Sequence, residues 1–197
     1  MDQRPLLIGA ASRPHPDETV NGDRIQLEQR GAIHRIAVID GLGHGPDAAM
    51  AAGRAVDALA AIPDADVPTS IRACHEALKG TRGAALSVIR IDLDAGTMTF
   101  AGLGNVEGAV ASPGWKHLLI PQRGIVGVLA PRIQPIEEEL PDSFIIMLCT
   151  DGIRSSARRD LDFGEIVSAE ALADEVLMTS SREDDDAAVV IASRQPR

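Results

Sequence analysis

Aspartates at the ends of apolar runs are the residues of this 197-residue chain that could do chemistry. Asp40 follows the run IAVI, Asp151 follows IIMLCT, and the acidic run 183–186 precedes AAVVIA. Asp23 closes an Asn-Gly-Asp turn shortly before the first of these runs. Runs that are apolar on both faces are typical of buried central strands, whose ends lie close together in a sheet. We therefore expect these carboxylates to converge.

The chemistry of such a cluster is that of a metal site. A charged carboxylate beside a hydrophobic core is costly unless it is paired or binds a metal. Among the three strand ends, only the acidic run has a basic neighbour, Arg182. Carboxylate oxygens suit hard cations such as Mg²⁺ and Mn²⁺. The pattern therefore predicts a site for divalent cations.

Composition narrows the class of protein. Hydrophobic residues make up 45% of the chain, and its length fits one domain, residues 1–197. The net charge of −10 argues against non-specific binding to nucleic acid or an anionic membrane. The sequence has no 18-residue apolar stretch and no apolar leader, so we expect a soluble, cytoplasmic protein. Cys74 and Cys149 lie in apolar settings and are expected to be buried free thiols.

Periodicity and turn residues predict the elements that position the aspartates. The predicted strands are 25–30, 33–39, 84–92, 97–104, 107–112, 115–121, 134–140, 143–149 and 187–192, and the predicted helices are 46–61, 69–79 and 168–178. Thr69 or Ser70 is expected to cap the second helix, and Ser168 the third. This order lacks the regular strand–helix alternation of a doubly wound fold. It favours an α+β fold of antiparallel sheets with helices packed outside them.

The blocks that carry these residues resemble a known family, the SpoIIE-type branch of the protein phosphatase 2C (PPM) family. They are VNGD (20–23), VIDGLGHGPDAA (38–49), KGTRGAALSVIRID (79–92), FAGLGNVEGAV (100–110), LCTDGI (148–153) and SSREDDDAAVVI (180–191). The resemblance implies an α-β-β-α sandwich of two antiparallel sheets flanked by helices, acting as a metal-dependent protein serine/threonine phosphatase. The short chain is most similar to members that reset the bacterial stressosome. This implies phosphorylated STAS-domain proteins, the scaffold and antagonist subunits of a stressosome, as substrates.

The resemblance also implies a role for each site residue. Two ions, Mn²⁺ or Mg²⁺, would be bridged by Asp40, with the Gly41 carbonyl binding one of them. Asp151 and Asp185 would complete the other, and Asp23 would hold metal-bound water. Such ions lower the pKa of a shared water and offset charge on the phosphate, so no protein nucleophile is needed.

The acidic run leaves its ligand open by one residue. The family pattern there is Asp-Asp-x-Thr with the first aspartate as ligand, which matches Asp185. A slip of one residue would place Asp184 or Asp186 in that position.

The chain departs from the family pattern at two points. Many members carry a phosphate-gripping arginine before the Asn-x-Asp turn, where this chain has residues 18–20, Glu-Thr-Val. The metals or another group must then hold phosphate; His44 or Arg82 could help, although both are expected at the surface. Where larger relatives have a Gly-Asp-Ser motif that adds a metal ligand, residues 104–106 read Gly-Asn-Val. This argues against a third ion.

Three other interpretations are weaker. The turn GLGHG (41–45) opens a helix like a nucleotide loop, but its spacing is not G-x-G-x-x-G and Asp40 would repel a pyrophosphate. Zinc is poorly supported, since the histidines form no H-E-x-x-H pattern and His34 and His117 are expected on strand surfaces. The serious rival is a catalytically silent copy of the fold that binds a signalling partner. The presence of all the carboxylates argues against it.

Overall fold

Two five-stranded antiparallel sheets stack face to face in the computed structural model, which describes residues 5–164 and 168–195. The strands are β1 (Leu7–Arg13), β2 (Asp23–Arg30), β3 (Ile33–Gly41), β4 (Ala84–Asp92), β5 (Thr97–Leu103), β6 (Glu107–Ser112), β7 (Trp115–Leu119), β8 (Ile136–Glu139), β9 (Phe144–Cys149) and β10 (Ala187–Arg194). The helices are α1 (Pro46–Ala60), α2 (Val67–Ala77), α3 (Ser155–Asp160) and α4 (Ala169–Ser180). One sheet has the order β1-β10-β9-β6-β7, and the other β2-β3-β4-β5-β8.

The helices form the two outer layers. Helices α1 and α2 pack on the second sheet, and α4 packs on β1 and β10 of the first. The predicted α-β-β-α sandwich of antiparallel sheets is therefore confirmed. Among the helices of residues 5–164 and 168–195, none combines the length and apolar character needed to cross a lipid bilayer.

Strand β3 shows why the central strands read as continuous apolar runs. Ile36 and Val38 face the core between the two sheets, whereas Ala37 and Ile39 face the core beneath α1 and α2. Because helices cover one face and the partner sheet covers the other, no position of the run can be polar. The same burial on both faces holds for β9 and β10.

Two elements carry too little signal to be predicted from the sequence. Strand β1 reads LIGAASR, and its small residues are required because α4 packs directly on it. A Cβ at Gly9 would lie 2.2 Å from the carbonyl carbon of Ala169, at the start of α4. Helix α3 has six residues, no side-chain cap and no buried residue, so neither periodicity nor capping marks it.

Two local predictions are wrong. Helix α2 is capped by Asp66, not by Thr69 or Ser70: the Asp66 carboxylate accepts a hydrogen bond from Thr69 N at 2.7 Å, which lowers the Asp66 pKa. His34 is buried rather than on a strand surface, because β3 is a central strand covered on both sides, and this burial lowers its pKa. The Ser168 cap of α4 is confirmed, as its hydroxyl accepts from Ala171 N at 3.1 Å.

A buried arginine closes the C-terminal end of α1. Arg35 is 2% exposed and donates from Nη1 to the carbonyl of Ile62 at 2.7 Å and from Nη2 to that of Leu59 at 2.8 Å. Each carbonyl also accepts a backbone amide, Leu59 from Ile62 N at 3.1 Å and Ile62 from Ala65 N at 3.2 Å. The negative end of the helix dipole favours a cation at this end of α1.

Arg35→Met is expected to lower the free energy of unfolding by about 2–3 kcal/mol, because it removes two hydrogen bonds from a charged donor. Urea denaturation measures the change. The control is Arg54→Met at an exposed position of α1, which is expected to stay within about 0.5 kcal/mol of the wild type. An equal effect of the two substitutions would contradict a specific role for Arg35.

Candidate metal centre

The hairpin of β2 and β3 places two of the predicted aspartates face to face. Its register pairs Asp23 with Asp40 at the open end of the hairpin, away from its turn. The amide of Gly41 donates to the carbonyl of Gly22 at 3.2 Å, which holds this end closed. Asp23 is almost completely buried, and Asp40 is partly buried.

Asp23 also bonds across to the other sheet. Its Oδ2 accepts a hydrogen bond from Thr150 Oγ1 at 2.7 Å, and Thr150 directly follows β9. Its Oδ1 is buried without a hydrogen-bond partner. One oxygen is thus fixed by the protein, and the other remains available as an acceptor.

The loops that carry the other two predicted ligands are bound to each other. Arg182 N donates to the carbonyl of Gly152 at 2.7 Å, and Thr150 N donates to that of Ala188 at 3.1 Å. A Cβ on Gly152 would lie 1.9 Å from the carbonyl oxygen of Asp186. Glycine next to Asp151 therefore allows this loop to approach the acidic run.

Within the acidic run, neighbouring aspartates have different roles. Asp186 is buried, and its Oδ1 accepts from the amides of Gly22 at 3.0 Å and His15 at 2.9 Å. It therefore fixes the turn that precedes Asp23. Asp185 is partly buried, and its pKa is raised first by that burial and then by the negative charge of Asp151. Asp185 thus remains our predicted ligand, and Asp186 is a support for the loop.

Burial and electrostatic repulsion both raise the pKa values of the carboxylates at this edge of the sandwich. The pKa of Asp40 is raised to about 9, chiefly by burial and then by the negative charges of Asp23, Asp151, Asp185 and Asp186. The pKa of Asp23 is raised to about 8, chiefly by burial and then by Asp186, against the opposing effect of the Thr150 hydrogen bond. A cation at this point would relieve both penalties.

The donor set fits a hard cation. Its members are carboxylate oxygens, and Asp23 Oδ1 and Asp186 Oδ2 are buried without partners. Within residues 5–164 and 168–195, no three acidic, histidine or cysteine side chains are close enough together to hold an ion as they stand. Asp151 is exposed, and its Oδ2 accepts from Asn105 Nδ2 at 2.7 Å. Metal binding would therefore require rotation of side chains such as Asp151.

Gly41 lies where α1 comes closest to the hairpin. A Cβ there would lie 2.2 Å from the carbonyl oxygen of Ala48, in the first turn of α1. The structure thus brings the predicted residues Asp23, Asp40, Gly41, Asp151 and Asp185 to one edge of the sandwich.

The sequence predicts only some of the residues at the rim of the metal centre. His44 and Arg82 are exposed as predicted; His44 Nδ1 lies 2.7 Å from Glu18 Oε1, and Arg82 pairs with Asp47 at 2.9 Å. The His44 ring stacks on His15 with 4.8 Å between the centroids. Neither His15 nor the roles of Thr150 and Asn105 could be predicted, because each acts through a partner distant in the sequence.

The family of this chain follows from comparison with known proteins. A family model described as Stage II sporulation protein E (SpoIIE) matches residues 31–195. The chain belongs to the SpoIIE family. The phosphoserine phosphatase RsbX of Bacillus subtilis (strain 168) is 32% identical over 157 residues, which cover 76% of this chain and 75% of that protein.

Solved structures share the fold. One similar structure comes from work on the bacterial stressosome, described as a modular system adapted to control secondary messenger signaling. Its TM-score is 0.87 and its sequence identity 27%, and the match covers 96% of this chain and 100% of that one. RsbX in complex with magnesium has a TM-score of 0.86 and 22% identity, covering 95% and 94%. The predicted family, fold and phosphatase class of enzyme are confirmed.

Proposed function

We propose that this SpoIIE-family chain is a metal-dependent phosphoprotein serine/threonine phosphatase that uses two Mn²⁺ or Mg²⁺ ions. The observation that carries the proposal is the pairing of Asp23 with Asp40 in a carboxylate cluster, where burial and then mutual repulsion raise the pKa of both. Its likeness to a phosphoserine phosphatase and to a fold solved with magnesium supports the same conclusion. Residues 1–197 would act as one cytoplasmic domain.

The predicted residues would have different roles in such a site. Asp40 would bridge the ions and the Gly41 carbonyl would bind one of them, while Asp151 and Asp185 would complete the other. When bound, the ions supply positive charge that lowers the pKa of water and offsets charge on the phosphate. Asp23, held by Thr150, would orient the attacking water through its free Oδ1.

Two ions rather than three fit the neighbourhood of Asp151. Asn105 stands where larger relatives have an aspartate, and its amide nitrogen donates to Asp151. A neutral amide is a weaker ligand for a hard cation than a carboxylate. Asn105 would therefore orient Asp151 rather than bind a further ion.

Hydrolysis of p-nitrophenyl phosphate tests the enzyme against its rival, the silent binding module. We expect turnover in Mn²⁺ that is abolished by a chelator and restored by added Mn²⁺, because the carboxylates of the site supply no positive charge of their own. A binding module would show no turnover under any of these conditions.

For the substrates, we propose phosphoserine or phosphothreonine on STAS-domain proteins, the scaffold and antagonist subunits of a stressosome-like complex. The relative RsbX and the stressosome chain of the same fold support this choice. A kinase-phosphorylated STAS protein and a phosphotyrosine peptide, each incubated with enzyme and Mn²⁺, provide the test. Release of phosphate from the peptide but not from the STAS protein would overturn the substrate assignment.

A further inference from the structure

We propose that a cleft lined by Arg154, Arg159 and Arg182 binds acidic side chains on either side of the phosphorylated residue of the substrate. The proposal rests on the phosphatase function above and adds a preference for acid-flanked phosphosites. The cleft has a volume of about 790 Å³ and lies between α3 and the acidic run. We call it the arginine cleft.

The guanidinium groups of this cleft are available to a ligand. Within residues 5–164 and 168–195, the side chains of Arg154 and Arg182 make no hydrogen bond or ion pair, and both residues are exposed. Arg159 donates only to Ser155 Oγ at 3.1 Å. The adjacent Arg158 differs, because it pairs with Glu107 and contacts the Cys149 sulfur. Within the part of the chain that the structure describes, the three cleft arginines therefore have no acidic partner that fixes them.

The charge of the arginine cleft contrasts with that of the whole chain. Glu183 and Asp184 also line it, so three positive charges face two negative ones in a protein of net charge −10. Arg13, Arg24 and Arg82 also lie near the metal centre, but Arg13 and Arg24 donate to backbone carbonyls and Arg82 pairs with Asp47. An anionic substrate would thus find protein positive charge at this cleft.

The backbone places the arginine cleft next to the metal centre. Arg154 lies three residues after Asp151, and Arg182 lies three residues before Asp185. Arg154 N donates to the carbonyl of Ser180 at 2.8 Å, so the two segments run side by side. Three residues span at most about 10 Å. Side chains two or three positions from a phosphoserine held at the metal centre would therefore reach the cleft.

Two phosphoserine peptides of equal length test the proposal, one with Asp and Glu at the second and third positions on both sides and one with Asn and Gln there. In Mn²⁺ we expect the wild type to favour the acidic peptide about tenfold in kcat/KM, equivalent to about 1.4 kcal/mol. The double variant Arg154→Gln/Arg182→Gln should turn over the two peptides with nearly equal kcat/KM. The difference should lie mainly in KM.

The matched control is Arg54→Gln/Arg72→Gln, which makes the same change of charge at exposed positions of the outer α1 and α2 layer. It should keep the tenfold preference. Equal kcat/KM for the two peptides in the wild type, or the same loss of preference in both double variants, would overturn the proposal. The second outcome would mean that overall charge, not the cleft, selects the peptide.

Fluorescence-anisotropy binding of both peptides separates this proposal from the function on which it rests. If the wild type hydrolyses neither peptide nor p-nitrophenyl phosphate but binds the acidic peptide about tenfold more tightly, the phosphatase proposal fails and the cleft proposal stands. If hydrolysis occurs and the two peptides bind and react equally, the cleft proposal fails and the phosphatase proposal stands.

Discussion

Asp40→Asn is expected to reduce Mn²⁺-dependent turnover by a factor on the order of 100 or more while the fold is retained. Asparagine has nearly the same size, so the pairing of β2 with β3 opposite Asp23 should survive. The substitution removes the charge that would bridge two cations. The activity assay with p-nitrophenyl phosphate measures the loss, and Asp57→Asn at an exposed position of α1 is the control.

Stability gives the Asp40 prediction a second measurement. The folded-state pKa of Asp40 is raised from 3.8 to about 9, so ionisation in this window destabilises the metal-free fold. At pH 7.5, metal-free Asp40→Asn should therefore melt at or above the wild-type temperature. Mn²⁺ should raise the melting temperature of the wild type by mass action and that of the variant much less. Near-normal turnover of Asp40→Asn, together with an undiminished Mn²⁺ shift, would contradict the assignment of Asp40.

Gly152→Ala is expected to have the second largest effect, a loss of activity of about 100-fold and of roughly 3 kcal/mol in the free energy of unfolding. The added Cβ would lie 1.9 Å from the Asp186 carbonyl oxygen and 3.0 Å from the Ala187 Cα. Both contacts are with backbone, so the loop of Asp151 and the acidic run must separate. Activity and urea denaturation measure the two effects.

Gly53→Ala in α1 is the control for a glycine-to-alanine change. Apart from its chain neighbours and the nearby backbone of α1 itself, no heavy atom lies within 4 Å of the Cβ that it would add. It should keep full activity and gain about 0.5–1 kcal/mol, because alanine favours a helix interior over glycine. If Gly152→Ala behaved like this control, the close approach of the two loops would not be needed for the site.

The sequence predicts most of the sandwich because burial on both faces leaves a clear pattern. Residues 36–39 are apolar at every position since two cores require it, and the aspartate after them marks the strand end. Strand β1 is not predicted because α4 packs so closely on Gly9 that the strand carries small residues instead of the branched residues typical of strands. The prediction of the α2 cap is wrong because Pro68, in the first turn, allows the helix to begin before Thr69.

The sequence predicts which residues make up the site, but it does not predict the role of each one. Residue type alone does not distinguish the three aspartates of residues 184–186, and the family pattern allows a slip of one residue. Only the contacts of Asp186 with the amides of Gly22 and His15 distinguish it from Asp185. The sequence also does not predict the arginine cleft, because Arg154 and Arg182 become neighbours only through the packing of their two segments.

The initial rate of phosphate release from a phosphoserine protein, measured against Mn²⁺ concentration after complete chelation, tests the central claim most directly. We predict a rate near zero without metal that rises to saturation with added Mn²⁺, because the carboxylates of the cluster supply no positive charge of their own. A full rate in the metal-free protein would contradict the account, as would no release at any Mn²⁺ concentration.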